Sequence, residues 1–152
     1  MALYEFDDRS TTGHADIDHM HAEIATLSRR LAERVEKQAD FSEVCDIFLQ
    51  LQAALLGHFE MEERYILTLP QNDDVRAHLR KHTENHNQFR DLLTYGGQQF
   101  ELKSATGEVP NVTSLIPQEY FEELKNIDRE MRLLFAKYAP KNLKGIEREI
   151  HS

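Results

Sequence analysis

His58 and Glu62 occupy consecutive positions of an otherwise apolar stripe: Val44, Phe48, Leu51, Leu55, His58, Glu62, Ile66, Leu69. Steps of three and four put all eight on one helix face. A carboxylate on that face points into the core, where an unpaired charge costs several kcal/mol, so it must be paired, neutralised or bound to a metal. Three further stripes are interrupted in the same way. His21 lies on the Ile17–Ile24 side of one. His78, His82 and His86 form an i, i+4, i+8 row in another, and Asp128 breaks a third between Leu124 and Met131. Taken singly, each has a plainer reading. A lone inward histidine can be a hydrogen-bonded core residue, and a His/Glu pair at i,i+4 can decorate a solvated face. Taken together, polar interruptions at similar depth in four helices are what a metal site in a bundle core requires. Imidazole with carboxylate suits iron, zinc or manganese.

The elements that must position these groups are helical almost throughout. A first helix is expected over about 16–38, with Asp16 or Asp18 in its opening turn. The second carries the stripe above and ends at Pro70. Asp73 or Asp74 is expected to cap the third, which extends to about Gly96 or Gln99. A loop over 100–113 contains Gly107 and Pro110. Pro117 suits the first turn of a fourth helix that carries Phe121, Leu124, Asp128, Met131, Phe135 and Tyr138 and stops at Pro140. This predicts an all-α fold, an antiparallel up-down-up-down four-helix bundle, over residues 1–140, with 141–152 as a short polar tail.

Composition narrows the function. With 18 Lys+Arg against 27 Asp+Glu the formal net charge is −9, which argues against nucleic acid or an anionic membrane as partner. One cysteine, Cys45, excludes an internal disulfide and any cysteine-rich zinc site. No apolar run approaches the roughly 18 residues of a membrane span, and no signal peptide is visible, so a cytoplasmic location is expected. Seven of the eight histidines fall between His14 and His86. His14, His19 and His151 lie off the stripes and are expected to be bystanders. No Gly-rich elbow surrounds a serine, so a nucleophilic hydrolase is not supported.

The residues resemble the hemerythrin family, in its bacterial form with an HHE-type cation-binding domain. Gly13-x-x-x-Ile17-Asp18-x-x-His21 is similar to that family's opening, His58-Phe59-x-x-Glu62-Glu63 to its second-helix signature, and a third-helix H-x-x-x-H and a fourth-helix Asp follow. The similarity runs over roughly residues 3–138. It implies two non-heme iron ions joined by an oxo or hydroxo bridge and binding O₂ or another small diatomic or peroxide ligand. His21 and His58 would hold one iron, Glu62 and Asp128 would bridge, and two third-helix histidines would hold the other. His78/His82 fits the family's distance from Glu62 and is the favoured pair. His82/His86 fits its H-x-x-x-H-x-x-F form, with Phe89 as the aromatic.

The chain departs from the family on the fourth helix. Where the family has H-x-x-x-x-D, this chain has Glu123-x-x-x-x-Asp128. Glu123 as a carboxylate ligand, His86 moving in, or water would complete the position. A carboxylate there would favour the ferric state, and so sensing, peroxide or NO chemistry, or iron handling over bulk O₂ storage. The leading expectation is a non-enzymatic O₂-binding or gas- or redox-sensing protein. The alternative is an oxidase- or peroxidase-like or iron-handling protein with a carboxylate-enriched site. Ferritin-like oxidases use Glu-x-x-His pairs, and none of the eight histidines here has Glu three positions before it.

Overall fold

The structure, a computed structural model, describes residues 15–112 and 118–138. Four helices follow in order: α1 (Ala15–Glu36), α2 (Phe41–Ile66), α3 (Asp73–Lys103) and α4 (Gln118–Tyr138). There is no strand among the described residues. Contacts across the bundle set the directions. His21 near the start of α1 meets His58 near the end of α2, and Glu62 near the end of α2 meets His82 near the start of α3. His78 near the start of α3 meets Glu130 in the second half of α4. Each neighbour therefore runs antiparallel to the last. The fold is the all-α four-helix bundle expected from the stripes.

Two boundaries differ from expectation for local reasons. The cap of α3 is Asn72, whose side chain accepts the Val75 backbone N–H at 3.0 Å; Asp73 and Asp74 are first-turn acids that favour the helix N-terminus electrostatically. At its other end α3 runs through Gly96-Gly97 to Lys103. Gly96 is buried against Phe48, where an added Cβ would meet Phe48 Cζ at 2.5 Å, and the Phe48 ring in turn lies tilted against Phe100 with centroids 4.8 Å apart. Gly96→Ala should therefore destabilise: overpacking costs about 1–3 kcal/mol and is only partly offset by the ~1 kcal/mol that alanine gains in a helix. Gly97→Ala, whose Cβ would meet only Gln52 Nε2 at 3.6 Å, should be neutral or stabilising. Urea midpoints of the two variants check this, and equal shifts would contradict it. The chain leaves α3 through a turn in which Gly107, at φ +73°, donates its N–H to Lys103 O at 2.9 Å. Pro117, Pro140, His14, His151 and the expected 141–152 tail lie outside the described residues.

The core divides in two. One apolar cluster includes Ile24, Leu31, Phe48, Leu55, Phe59, Phe89, Phe121 and Leu124. A second gathers Ile17, Ile66, Leu69, Val75, Met131 and Phe135. On every helix the stripe passes from one cluster to the other through its polar residues: His21 between Ile17 and Ile24, His58 and Glu62 between Leu55 and Ile66, His82 between Val75 and Phe89, Asp128 between Leu124 and Met131. The bundle thus holds a polar layer between two apolar ones.

Candidate metal centre

His21, His58, Glu62, His82, His86 and Asp128 are all fully buried in that layer. His21 Nε2 lies 2.9 Å from His58 Nε2 and 3.1 Å from Asp128 Oδ2, while His58 Nε2 also contacts Glu62 Oε1. One ligand atom from each of His21, His58, Glu62 and Asp128 forms a set lying within 4.8 Å of one another. Glu62, His82 and His86 form a second such set. In it His82 Nδ1 and His86 Nε2 are 3.2 Å apart and stand 3.9 Å and 3.8 Å from the two oxygens of Glu62. Nitrogen and oxygen ligands about 2 Å from a shared cation sit roughly 3–4 Å apart, the spacing found here.

The layer also leaves polar atoms without the partners that a metal-free core would supply. Both Glu62 oxygens, and the second ring nitrogens His58 Nδ1 and His82 Nε2, are buried without a hydrogen bond, although buried polar atoms are nearly always satisfied. Burial pushes His58 and His82 well below the ordinary imidazole range, and pushes His86 down as well, which favours the neutral ring with a lone pair to offer a cation. Burial, then the neighbouring Asp128 carboxylate, pushes Glu62 well up. Burial alone would raise Asp128, but His21, then His58 and His82, hold it below the usual carboxylate range. A cation in this layer would take the place of the proton that burial favours on Glu62 and would offset the charge of both carboxylates. The residues fit a metal.

His86 is fixed from outside the layer. Its ring stacks on Phe59, with centroids 4.1 Å apart and planes 16° from parallel. Its Nδ1 is 3.0 Å from Glu63 Oε1, which also accepts from Arg90 Nη2 at 3.2 Å. A carboxylate on the far ring nitrogen orients a metal-binding imidazole and raises its basicity. Glu63 was visible in the sequence only as the second acid of the α2 motif. Its partner 23 positions on could not be read from spacing.

The third-helix pair brought to the carboxylate is His82 with His86, rather than His78 with His82. His78 is buried but belongs to neither ligand set, and its Nδ1 faces Glu130 Oε2 at 3.3 Å. Glu123 also requires correction: it is exposed on α4, and the inward positions of that turn belong to Leu124 and Ile127. Five residues turn a helix by about 140° relative to Asp128, which carries Glu123 out of the layer. Glu123→Gln should accordingly leave metal content unchanged and stability within about 0.5 kcal/mol; loss of bound metal would show that it reaches the site. His19 is exposed. Tyr65 donates to Asp16 at 3.5 Å and Tyr120 packs edge-on against Phe89, so neither is placed as a ligand.

An antiparallel bundle with a buried histidine–carboxylate layer defines the chain as a cation-binding four-helix protein. It belongs to the hemerythrin family: the hemerythrin HHE cation-binding domain matches residues 12–95. That match ends before α4, so Asp128 is supplied from beyond it. No curated protein and no solved structure matches the chain. No helix among the described residues is long and apolar enough to cross a membrane.

Proposed function

We propose that this chain is a non-heme di-iron protein that binds O₂, or senses O₂, NO or redox state, at a site bridged by carboxylates. The observation that carries the proposal is that Glu62 belongs to both ligand sets, with His21, His58 and Asp128 on one side and His82 and His86 on the other. A carboxylate shared by two nitrogen-rich sets is the arrangement of a paired-metal centre. An all-nitrogen and oxygen donor set without thiolate suits iron. Bound iron would supply the reversible electron donation to a diatomic or peroxide ligand that no side chain offers. The protein's part is to hold six buried ligands, favour neutral rings at His58, His82 and His86 by burying them, fix His86 through Glu63, and exclude water with apolar clusters on both sides. The carboxylate-enriched alternative rested on Glu123, which is exposed. A cytoplasmic location belongs to the same proposal and agrees with the single free thiol, Cys45.

The test is metal analysis of protein purified from cells, with absorption spectra recorded without and then with air. About two irons per chain and a reversible spectral change on O₂ exposure support the reading. Zinc, no metal, or a spectrum indifferent to O₂, NO and peroxide defeats it.

A further inference from the structure

A buried cation site needs a way in. A divalent ion cannot cross an apolar cluster, because losing its hydration without replacement ligands costs far more than a domain's whole stability. Besides the ligand layer itself, two described polar seams reach it from the surface, and they differ in what closes them. The first runs from His86 through Glu63 to Arg90. Arg90 holds it with three contacts: Nη1 to Asn87 Oδ1 at 2.8 Å, and Nη2 to the two Glu63 oxygens at 3.2 and 3.4 Å. A guanidinium is always charged and its fork is fixed, so this seam is sealed against a second cation.

The other seam runs from His82 through His78 to Glu130. The rings of His78 and His82 meet edge-on with centroids 4.5 Å apart. His78 turns Nδ1 outward to Glu130 Oε2 at 3.3 Å, so its opposite nitrogen, Nε2, faces inward, where it is buried and makes no hydrogen bond. The Glu130 carboxylate is 48% exposed and borders a surface cavity of about 290 Å³ that is also lined by Ala77, His78 and Lys81. Among the described residues the cation that guards it is Lys81, with Nζ 3.4 Å from Glu130 and its side chain 59% exposed. Such an exposed pair is worth about 0–1 kcal/mol and is readily displaced.

The geometry points to Glu130 and His78 as the loading path of the centre: a transient divalent-cation site that passes the ion on to His82. This rests on the cation-site reading above and adds how the site fills. The ion exchanges waters for the Glu130 carboxylate, displacing the Lys81 ammonium. It then exchanges that oxygen for His78 nitrogen as the ring turns, and reaches His82 one helical turn further in. No electron moves, and the displaced waters and ammonium return to solvent. His78 is eight residues from His86, about 12 Å along the helix axis, too far for both rings to hold one ion. His78 is therefore a waypoint, and the resident ligands are His82 and His86.

The experiment is stopped-flow uptake of Fe(II) by the metal-free full-length chain under anaerobic conditions, read by competition with a chromophoric chelator, together with final metal content. His78→Phe and Glu130→Gln should slow uptake by an order of magnitude, the scale on which metal sites respond to loss of a supporting ligand, while final content stays at the wild-type value. Lys81→Ala should speed uptake, and Glu60→Gln, an exposed acid elsewhere on α2, should change nothing. Glu130 is at the surface, so its variant reports even if His78→Phe fails to fold. Unchanged rates in Glu130→Gln overturn the inference. A lower final content in folded His78→Phe also overturns it, by making His78 a resident ligand. Failure of the wild type to take up Fe(II) at all overturns the cation-site reading itself, and the loading path with it.

Discussion

Glu62→Gln should empty both metal positions while making the metal-free bundle less sensitive to alkali. Glu62 is the one residue common to both ligand sets, and an amide is a far weaker ligand than a carboxylate. Disturbing even an outer partner of a metal ligand costs 10–100-fold in affinity, so losing the shared ligand should cost more than about 100-fold at each position. The metal-free consequence follows from the raised pKa. Burial and Asp128 push Glu62 well above the ordinary carboxylate range, so the folded chain keeps a proton that the unfolded chain releases near pH 4.3. Its contribution to stability is full below that pH and is lost as pH rises through the folded value. Glutamine has the same shape and no proton to lose. Metal content and urea midpoints between pH 6 and 9 check both halves. A variant that retains the wild-type content of bound metal removes Glu62 from the centre.

The second large effect is the response of the wild type to chelation and acid. A ligand at 100 times its dissociation constant stabilises by about 2.7 kcal/mol, so the two proposed sites would together contribute roughly 5 kcal/mol, or about 10–20 °C in melting temperature at this chain length. The metal-free protein should in addition lose stability as pH falls below about 6.5. His58, His78, His82 and His86 are all depressed, chiefly by burial. Below about 6.5 the unfolded chain binds protons that the folded one refuses. Each such histidine contributes a slope of about 1.4 kcal/mol per pH unit in favour of unfolding. Glu62 acts in the opposite direction over part of this range, but it is one group against four. Asp128, held low, loses its contribution only in stronger acid. Urea midpoints of chelated protein at pH 7.5 and 5.5 measure the difference; equal midpoints would mean the imidazoles are not held neutral by burial.

Much of this was legible in the sequence because helical periodicity is a strong signal where stripes are long. The α2 stripe located His58 and Glu62 inside the bundle without any structure, and the α4 stripe did the same for Asp128. The third helix was ambiguous for a physical reason. His78, His82 and His86 share one stripe, and periodicity cannot rank positions on the same face. The choice lies with the neighbouring helices: Phe59 and Glu63 of α2 take His86, and Glu130 of α4 takes His78. Glu123 misled because a motif register counts residues, whereas burial depends on angle, and Leu124 owns the inward direction of that turn. Asn72 lay one residue before the acids expected to cap α3, and only the Val75 N–H contact separates cap from first turn.

The division of the core into two apolar clusters bears on cooperativity. The smaller cluster, with Ile17, Ile66, Val75 and Met131, is joined to the larger one through a layer that has little intrinsic cohesion without a cation. In the metal-free chain that end of the bundle should open as a separate unit, below the free energy of global unfolding. Ligands drawn from all four helices would rivet the two halves into one. Amide exchange should then report the cation at a distance: Ile66 and Val75 become as slow as Leu51 and Leu93 once metal is bound, and remain faster when it is withheld. Uniform protection in the metal-free chain would mean that the polar layer holds without it. A bundle built this way registers its cargo as a change in how much of it unfolds at once.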